Sequence, residues 1–202
     1  MSTHDDVALC IPWRPTRERA PLFKEVLSWY QRQMPLWWTV SDSEPGPFNR
    51  SQARNRAVAH AKEKGAKIIV LSDADTIPEA GPLERAIQLT REDGKPRLPY
   101  DRYYLLNKAE TEKFVAGDWF DLRASWVYPS VSGVSVLSVD WFMDNQYDER
   151  YVNWGHEDND FAARAQFERV SGNVYAMWHT PDERGSATDA NLKLYKETYG
   201  LD

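Results

Sequence analysis

A chain of 202 residues, 42% of them apolar, can bury one sizeable core, and its net charge is a modest −6. The single cysteine, Cys10, excludes an intrachain disulfide, and no apolar run approaches the length of a membrane span. Residues 1–67 carry 11 Lys/Arg against 7 Asp/Glu, whereas residues 68–202 carry 14 against 24. A basic half suits an anionic nucleotide, and the acidic half argues against a polyanion, so nucleic acid is not an expected partner. Met1–Asp6 is polar and acidic, without the basic-then-apolar pattern of a leader, so a cytoplasmic protein is expected.

Val7–Pro12 is a short apolar run and predicts a first strand, closed by Pro12. Leu22–Gln33 has helical apolar spacing, with Pro21 suited to a first turn. Leu36–Val40 predicts a second strand, and the turn residues of 41–47 a loop. Asn49–Lys64 predicts a helix in which Asn49 and Gln52 form a capping box. Ala53, Ala57 and Ala61 give it a small face for close packing, and Arg50 and Arg54 stand one turn apart on another face. Gly65 ends it, and Ile68–Leu71 predicts a buried strand. The order βαβαβ implies an α/β fold with a largely parallel, nucleotide-binding type of sheet.

Asp73 and Asp75 follow that strand. In an extended chain residues two apart point the same way, so both carboxylates are expected on one side of the strand's end. Ligands of open α/β sheets bind there, and two carboxylates suit a divalent cation that could hold a diphosphate. A plain helix cap is the simpler alternative for either residue. Gly81–Arg91 predicts a helix. Residues 92–130 are rich in charge and aromatics (Tyr100, Tyr103, Tyr104, Trp119, Phe120, Trp126, Tyr128) without clear period and read as an insertion on the acceptor side. Val131–Val139 predicts a strand containing Gly133, a mark of close approach. A short helix is expected at Val139–Gln146. The polar run 153–160 then leads into a helix from Phe161 to about Val170, a strand at Gly172–Trp178 ending at His179, a loop at 182–187 and a helix at Asn191–Tyr199. Acidic residues at a helix start are favoured by the dipole alone, but Glu157, Asp158 and Asp160 directly after Trp154-Gly155 exceed what capping requires.

Four signatures in order resemble the GT-A glycosyltransferases, and among them the β-1,4-galactosyltransferase family. Pro12-Trp13-Arg14 resembles the family's Pro-Phe-Arg, and Phe48-Asn49-Arg50 its Phe-Asn-Arg. The run 72–78, Ser-Asp-Ala-Asp-Thr-Ile-Pro, is similar to Ser-Asp-Val-Asp-Leu-Ile-Pro. Gly133-Val134-Ser135 followed by the run 154–160 is similar to Gly-Val-Ser and Trp-Gly-Gly-Glu-Asp-Asp-Asp. The resemblance implies a single GT-A type domain over 1–202, its mixed, mostly parallel sheet flanked by helices. Residues 1–80 form the nucleotide-binding half and 131–202 the acceptor and catalytic half. It implies transfer of a sugar from a nucleotide-sugar, a UDP-sugar, to a hydroxyl acceptor on a carbohydrate or protein. Pro12, Arg14, Phe48 and Arg50 then hold the uridine and phosphates, Asp73 touches the ribose or donor sugar, and Gly133 and Trp154 line the donor. Asp75 and His179 bind Mn²⁺. Asp158 is the base, with Glu157 beside it, and one direct displacement gives inversion.

Three positions depart from the pattern. Ala176 stands where the family has a methionine ligand, with Met177 one residue away, so Mg²⁺ becomes tolerable beside Mn²⁺. His156 replaces a glycine, and Asn159 replaces an aspartate that helps hold the acceptor. Two other classes fit parts of the pattern: a metal-dependent nucleotidyltransferase using Asp73 and Asp75, which lacks the expected Gly-rich phosphate loop, and a non-catalytic carbohydrate-binding module, which would tolerate loss of Asp158.

Overall fold

The computed structural model describes residues 4–118, 122–124, 126–180 and 186–201. Trp119 and Phe120 of the aromatic stretch, and residues 182–185 of the expected loop, lie outside the described residues. Strand β1 (Val7–Pro12) leads to helix α1 (Ala20–Gln33), β2 (Trp37–Ser41), α2 (Arg50–Glu63) and β3 (Ile68–Ser72). A short β4 (Thr76–Pro78) precedes α3 (Ala80–Asp93). The aromatic stretch contains β5 (Arg97–Leu98), β6 (Arg102–Leu105), α4 (Lys108–Val115) and β7 (Trp126–Tyr128). Then come β8 (Val134–Ser138), α5 (Val139–Asp144), α6 (Glu157–Ala165), β9 (Glu168–Arg169), β10 (Asn173–Ala176) and α7 (Ser186–Tyr199).

The main sheet has the order β2-β1-β3-β8-β5-β9. The expected βαβαβ unit makes its parallel part, β1 pairing with β2 and β3, while β8 joins β3 antiparallel. This is a mixed α/β sheet flanked by helices. β1 and β3 read as unbroken apolar runs because both faces of the sheet are covered. Val7, Leu9, Ile11, Ile68 and Val70 enter one core with residues of α1 and α3. Ala8, Cys10, Ile69 and Leu71 enter a second core with Ala57, Val58 and Ala61 of α2. Each fully buried Val, Leu or Ile side chain there stabilises the fold by about 1.5–3 kcal/mol. The alanine stripe brings α2 so close that Thr39 Oγ1 on β2 donates to the Ala57 carbonyl at 2.8 Å. Burial also pushes the Cys10 thiol up to about 12.

A second, smaller sheet, β4-β10-β6-β7, lies beyond the expected βαβαβ unit. The aperiodic stretch therefore supplies strands to both sheets, and its tyrosines pack as a chain: Tyr100 on Tyr103, Tyr103 on Tyr128, Tyr128 on Trp126. Other boundaries shift for local reasons. α6 starts at Glu157 rather than Phe161, because His156 adopts a left-handed turn (φ 68°) that lets the acidic run form the first helical turn. It stops at Ala165, where Gln166 is again left-handed. Gly133 lies just before β8 instead of inside a strand, at φ +98°, and a Cβ there would meet Tyr103 Cε2 at 2.9 Å. α7 begins at Ser186, inside the expected loop. Asn49 caps α2 by accepting from Gln52 N at 2.9 Å, but the reciprocal bond of a capping box is not made. The loop 42–48 folds back over the helix start, so Asn49 N turns to Ser43 Oγ and the Gln52 amide oxygen to Glu44 N. No helix among the described residues is long and apolar enough to cross a membrane.

Candidate functional site

The carboxyl ends of the three parallel strands β1, β2 and β3 carry Arg14, the loop 42–48 and Asp73, the edge where open α/β sheets place ligands. Pro12 is buried at the end of β1, opposite Ser41 of β2. Arg14 grips the loop. Its Nε lies 2.9 Å from Asp42 Oδ1, and its two terminal nitrogens donate to Gly46 O at 2.6 Å and Ser43 Oγ at 3.0 Å. The guanidinium also lies over the Phe48 ring, 5.2 Å from its centroid. Arg14 thus shapes the loop that presents Phe48.

Asp73 and Asp75 do not continue an extended strand. The chain turns after Ser72, with Thr76 N reaching back to Asp73 O at 3.4 Å before β4 begins. The two carboxylates consequently engage different cations. Asp73 accepts from Arg54 Nη2 at 2.8 Å. Asp75 Oδ2 meets Arg19 Nη2 at 2.6 Å and His179 Nε2 at 3.2 Å. The smaller sheet makes the second meeting possible. β10 runs antiparallel to β4 with Ala176 opposite Thr76, so Met177 N bonds the Asp75 carbonyl at 2.9 Å and His179 follows at the same end. Met177 itself packs its side chain into the core. Burial alone would raise the Asp75 carboxyl, but His179 and Arg19 outweigh it and hold it low. The hydrogen bond to Asp75 in turn raises the His179 imidazole.

The second cluster gathers around Arg54, which is only 2% exposed. Its Nη1 donates to Asp158 Oδ1 at 2.7 Å, its Nη2 binds Asp73, and its plane lies over the Tyr147 ring, 4.8 Å from the centroid. Arg50, one turn earlier, reaches Glu157 Oε1 at 3.3 Å. Glu157 is buried, and its other oxygen accepts from Gly155 N at 3.0 Å, so it ties α6 to the preceding loop. Two guanidinium groups here face three carboxylates. Burial, then the neighbouring Glu157 and Asp73, overcome the pull of Arg54 and raise the Asp158 carboxyl to about 7. Arg54 stays protonated: burial opposes its charge, but Asp158 and the other acidic groups more than compensate. Arg54, Asp73, Gly133, Ser135, Tyr147 and Asp158 are among the residues around a cavity of about 10 Å³, room for about one water molecule.

Trp154 sits on the loop that joins these parts. Asn153 N donates to Phe48 O at 3.2 Å, and Asn191 Nδ2 of α7 holds the carbonyls of Val152 and Trp154. Asn153, Gly155 and His156 all have positive φ, and His156 stacks on Tyr195 of α7. Of the residues expected from sequence, the structure brings together Arg50, Asp73, Glu157 and Asp158, then Asp75 with His179, and Arg14 with Phe48. Two further residues belong here. Arg54 was signalled by its spacing from Arg50, whereas nothing in the basic run 14–19 singles out Arg19. Among the described residues no three His, Cys, Asp or Glu side chains form a metal-binding group.

A family profile described as the N-terminal domain of galactosyltransferase matches residues 121–184. Among solved structures, the chain resembles a mutant of Drosophila β1,4-galactosyltransferase 7 in complex with manganese, UDP-Gal and xylobiose, with a TM-score of 0.59 at 14% identity over 92% of this chain and 78% of that one. The catalytic domain of the same Drosophila enzyme with xylobiose gives 0.55 at 14% identity, covering 92% and 79%. S. aureus TarS 1-349 in complex with UDP gives 0.52 at 13% identity, covering 86% of this chain and 60% of that one. No curated protein sequence matches significantly. The chain has a GT-A-like fold, similar to that of the galactosyltransferase and TarS structures.

Proposed function

We propose that this protein is a metal-assisted glycosyltransferase that moves a sugar from a UDP-sugar to a hydroxyl acceptor, with inversion. The observation that carries the reading is the pairing of two different acidic centres at one sheet edge. Asp75 with His179 offers hard oxygen and imidazole nitrogen donors, and Asp158 offers a carboxyl titrating near neutrality. Structures with the same fold hold manganese and UDP-Gal, or UDP. In this reading residues 1–80 are the nucleotide half and 131–202 the acceptor half of one domain.

The roles follow from the contacts. Phe48, presented by Arg14, gives the uracil a flat apolar face, with Pro12 at the end of β1 and Trp154 one residue beyond Asn153, which bonds Phe48 O, completing the donor side. Asp75 and His179 fit a divalent cation as two of its donors, and such a cation neutralises charge growing on the diphosphate leaving group. Arg50 adds a second positive group. Asp73, fixed by Arg54, faces the donor sugar near Gly133. Asp158 takes the acceptor proton, and its raised affinity for protons is what a base at neutral pH requires. Glu157, with both oxygens already bonded, positions Arg50 and the Trp154 loop instead of touching substrate. Trp126, 67% exposed at the edge of the smaller sheet, offers a stacking face for a carbohydrate acceptor. A panel of nucleotide-sugars incubated with Mn²⁺ tests the proposal, since slow hydrolysis needs no acceptor. Release of UDP from at least one UDP-sugar is expected. Hydrolysis of none, together with no UDP binding, would overturn it.

A further inference from the structure

Asp75 already has a cation of the chain itself. Arg19 Nη2 lies 2.6 Å from Asp75 Oδ2, the oxygen that also faces His179. The pair is shielded from solvent, with side-chain exposures of 21% for Arg19 and 10% for Asp75. Arg19 Nε is buried without a hydrogen-bond partner among the described residues. This guanidinium therefore has a donor to spare, and its planar fork matches the oxygens of a phosphate group. A divalent cation bound to the same Asp75 oxygen would face that guanidinium at contact distance, where two positive charges repel strongly.

We propose that Arg19 is the resident counter-cation of the Asp75–His179 pair, and that a divalent cation displaces it onto the donor diphosphate. The second half rests on the UDP-sugar reading above; the first half does not. Local structure permits the exchange. Arg19 is the residue before α1, at the end of the exposed run Pro15–Glu18, which is pinned by Thr180 Oγ1 donating to Glu18 Oε1 at 2.9 Å. Its long side chain can swing without moving that backbone. The arrangement also changes the case for metal dependence. Asp73 and Asp75 are each neutralised within the chain, by Arg54 and Arg19, so the diphosphate does not meet two bare carboxylates.

The test measures Mn²⁺ binding directly, by the electron paramagnetic resonance signal of the free ion, without nucleotide or turnover. Arg19→Met removes the charge but keeps an apolar stem. It should bind Mn²⁺ about tenfold more tightly than the wild type, the scale of one charge-assisted hydrogen bond. Arg19→Lys, which keeps the charge, should stay near wild type. Adding His179→Ala to Arg19→Met should remove the gain, which places the ion at this pair. With Mn²⁺ saturating, Arg19→Met should bind UDP roughly tenfold more weakly. Equal or weaker Mn²⁺ binding by Arg19→Met overturns the exchange. Tighter Mn²⁺ binding with unchanged UDP affinity overturns the transfer of Arg19 to the diphosphate. If the wild type binds no nucleotide, the transferase reading and that transfer fall together, while the Mn²⁺ comparison still decides the exchange at Asp75.

Discussion

Asp158→Asn separates the charge of this residue from its shape. The folded wild type holds the Asp158 proton up to about pH 7, whereas an unfolded chain releases it near 3.8. Between those values the folded state binds more protons than the unfolded one, so this group's contribution to stability falls as pH rises. At about 1.4 kcal/mol per pH unit, ionising Asp158 in place costs at most about 4 kcal/mol above pH 7. The side chain is 19% exposed and paired with Arg54, which lets solvent and neighbours relax around it, so about 1–3 kcal/mol is the expected share. Asparagine carries no such penalty and can still accept from Arg54. The variant should therefore match the wild type near pH 4 and exceed it in stability at pH 8, by urea unfolding at both. Titrations of groups outside this cluster cancel in the comparison. The same substitution should slow transfer by about 10²–10⁴-fold, because an amide cannot take the acceptor proton. Wild-type transfer should accordingly rise with pH, half-maximal near pH 7. A variant no more stable at pH 8 would refute the argument about the buried charge, and wild-type turnover would return Asp158 to the role of a helix-start carboxylate.

Arg54→Met leaves Asp73 and Asp158 without their shared cation. It should cost about 3–5 kcal/mol in urea unfolding, and a loss below about 1 kcal/mol would mean that the carboxylates find other partners. Gly133→Ala combines positive φ with a 2.9 Å clash against the buried Tyr103 ring. A loss of about 1–3 kcal/mol is expected from thermal unfolding, and an unchanged midpoint would show that Tyr103 gives way. Trp126→Ala should leave UDP-sugar hydrolysis alone and cost no more than about 1 kcal/mol of stability, since the ring is mostly in solvent and packs only on Tyr128 among the described rings. It should raise the KM for a carbohydrate acceptor roughly tenfold, and an unaltered KM would move the acceptor off this sheet edge.

Much of this protein was legible in the chain alone, and for local reasons. The buried strands at Val7–Pro12 and Ile68–Ser72, the Asn49 cap and the close-packing alanines depend on side chains a few residues apart, so periodicity and turn chemistry reach them. The motif residues Asp73, Asp75, Asp158 and His179 stood out because their order along the chain resembles a known pattern. Which cation each carboxylate would meet did not. Arg19 meets Asp75 across 56 residues, and Arg54 meets Asp158 across 104. No propensity or spacing connects residues so far apart. The smaller sheet escaped for the same reason, since its short strands are held by register with one another. Which carboxylate faces which cation is an outcome of that register: the turn after Ser72 sends Asp73 toward α2, and the antiparallel pairing of β4 with β10 carries His179 to Asp75. Only the folded chain sets those distances, and in a shielded site distance decides which charges are neutralised and which carboxyl is left to titrate near pH 7.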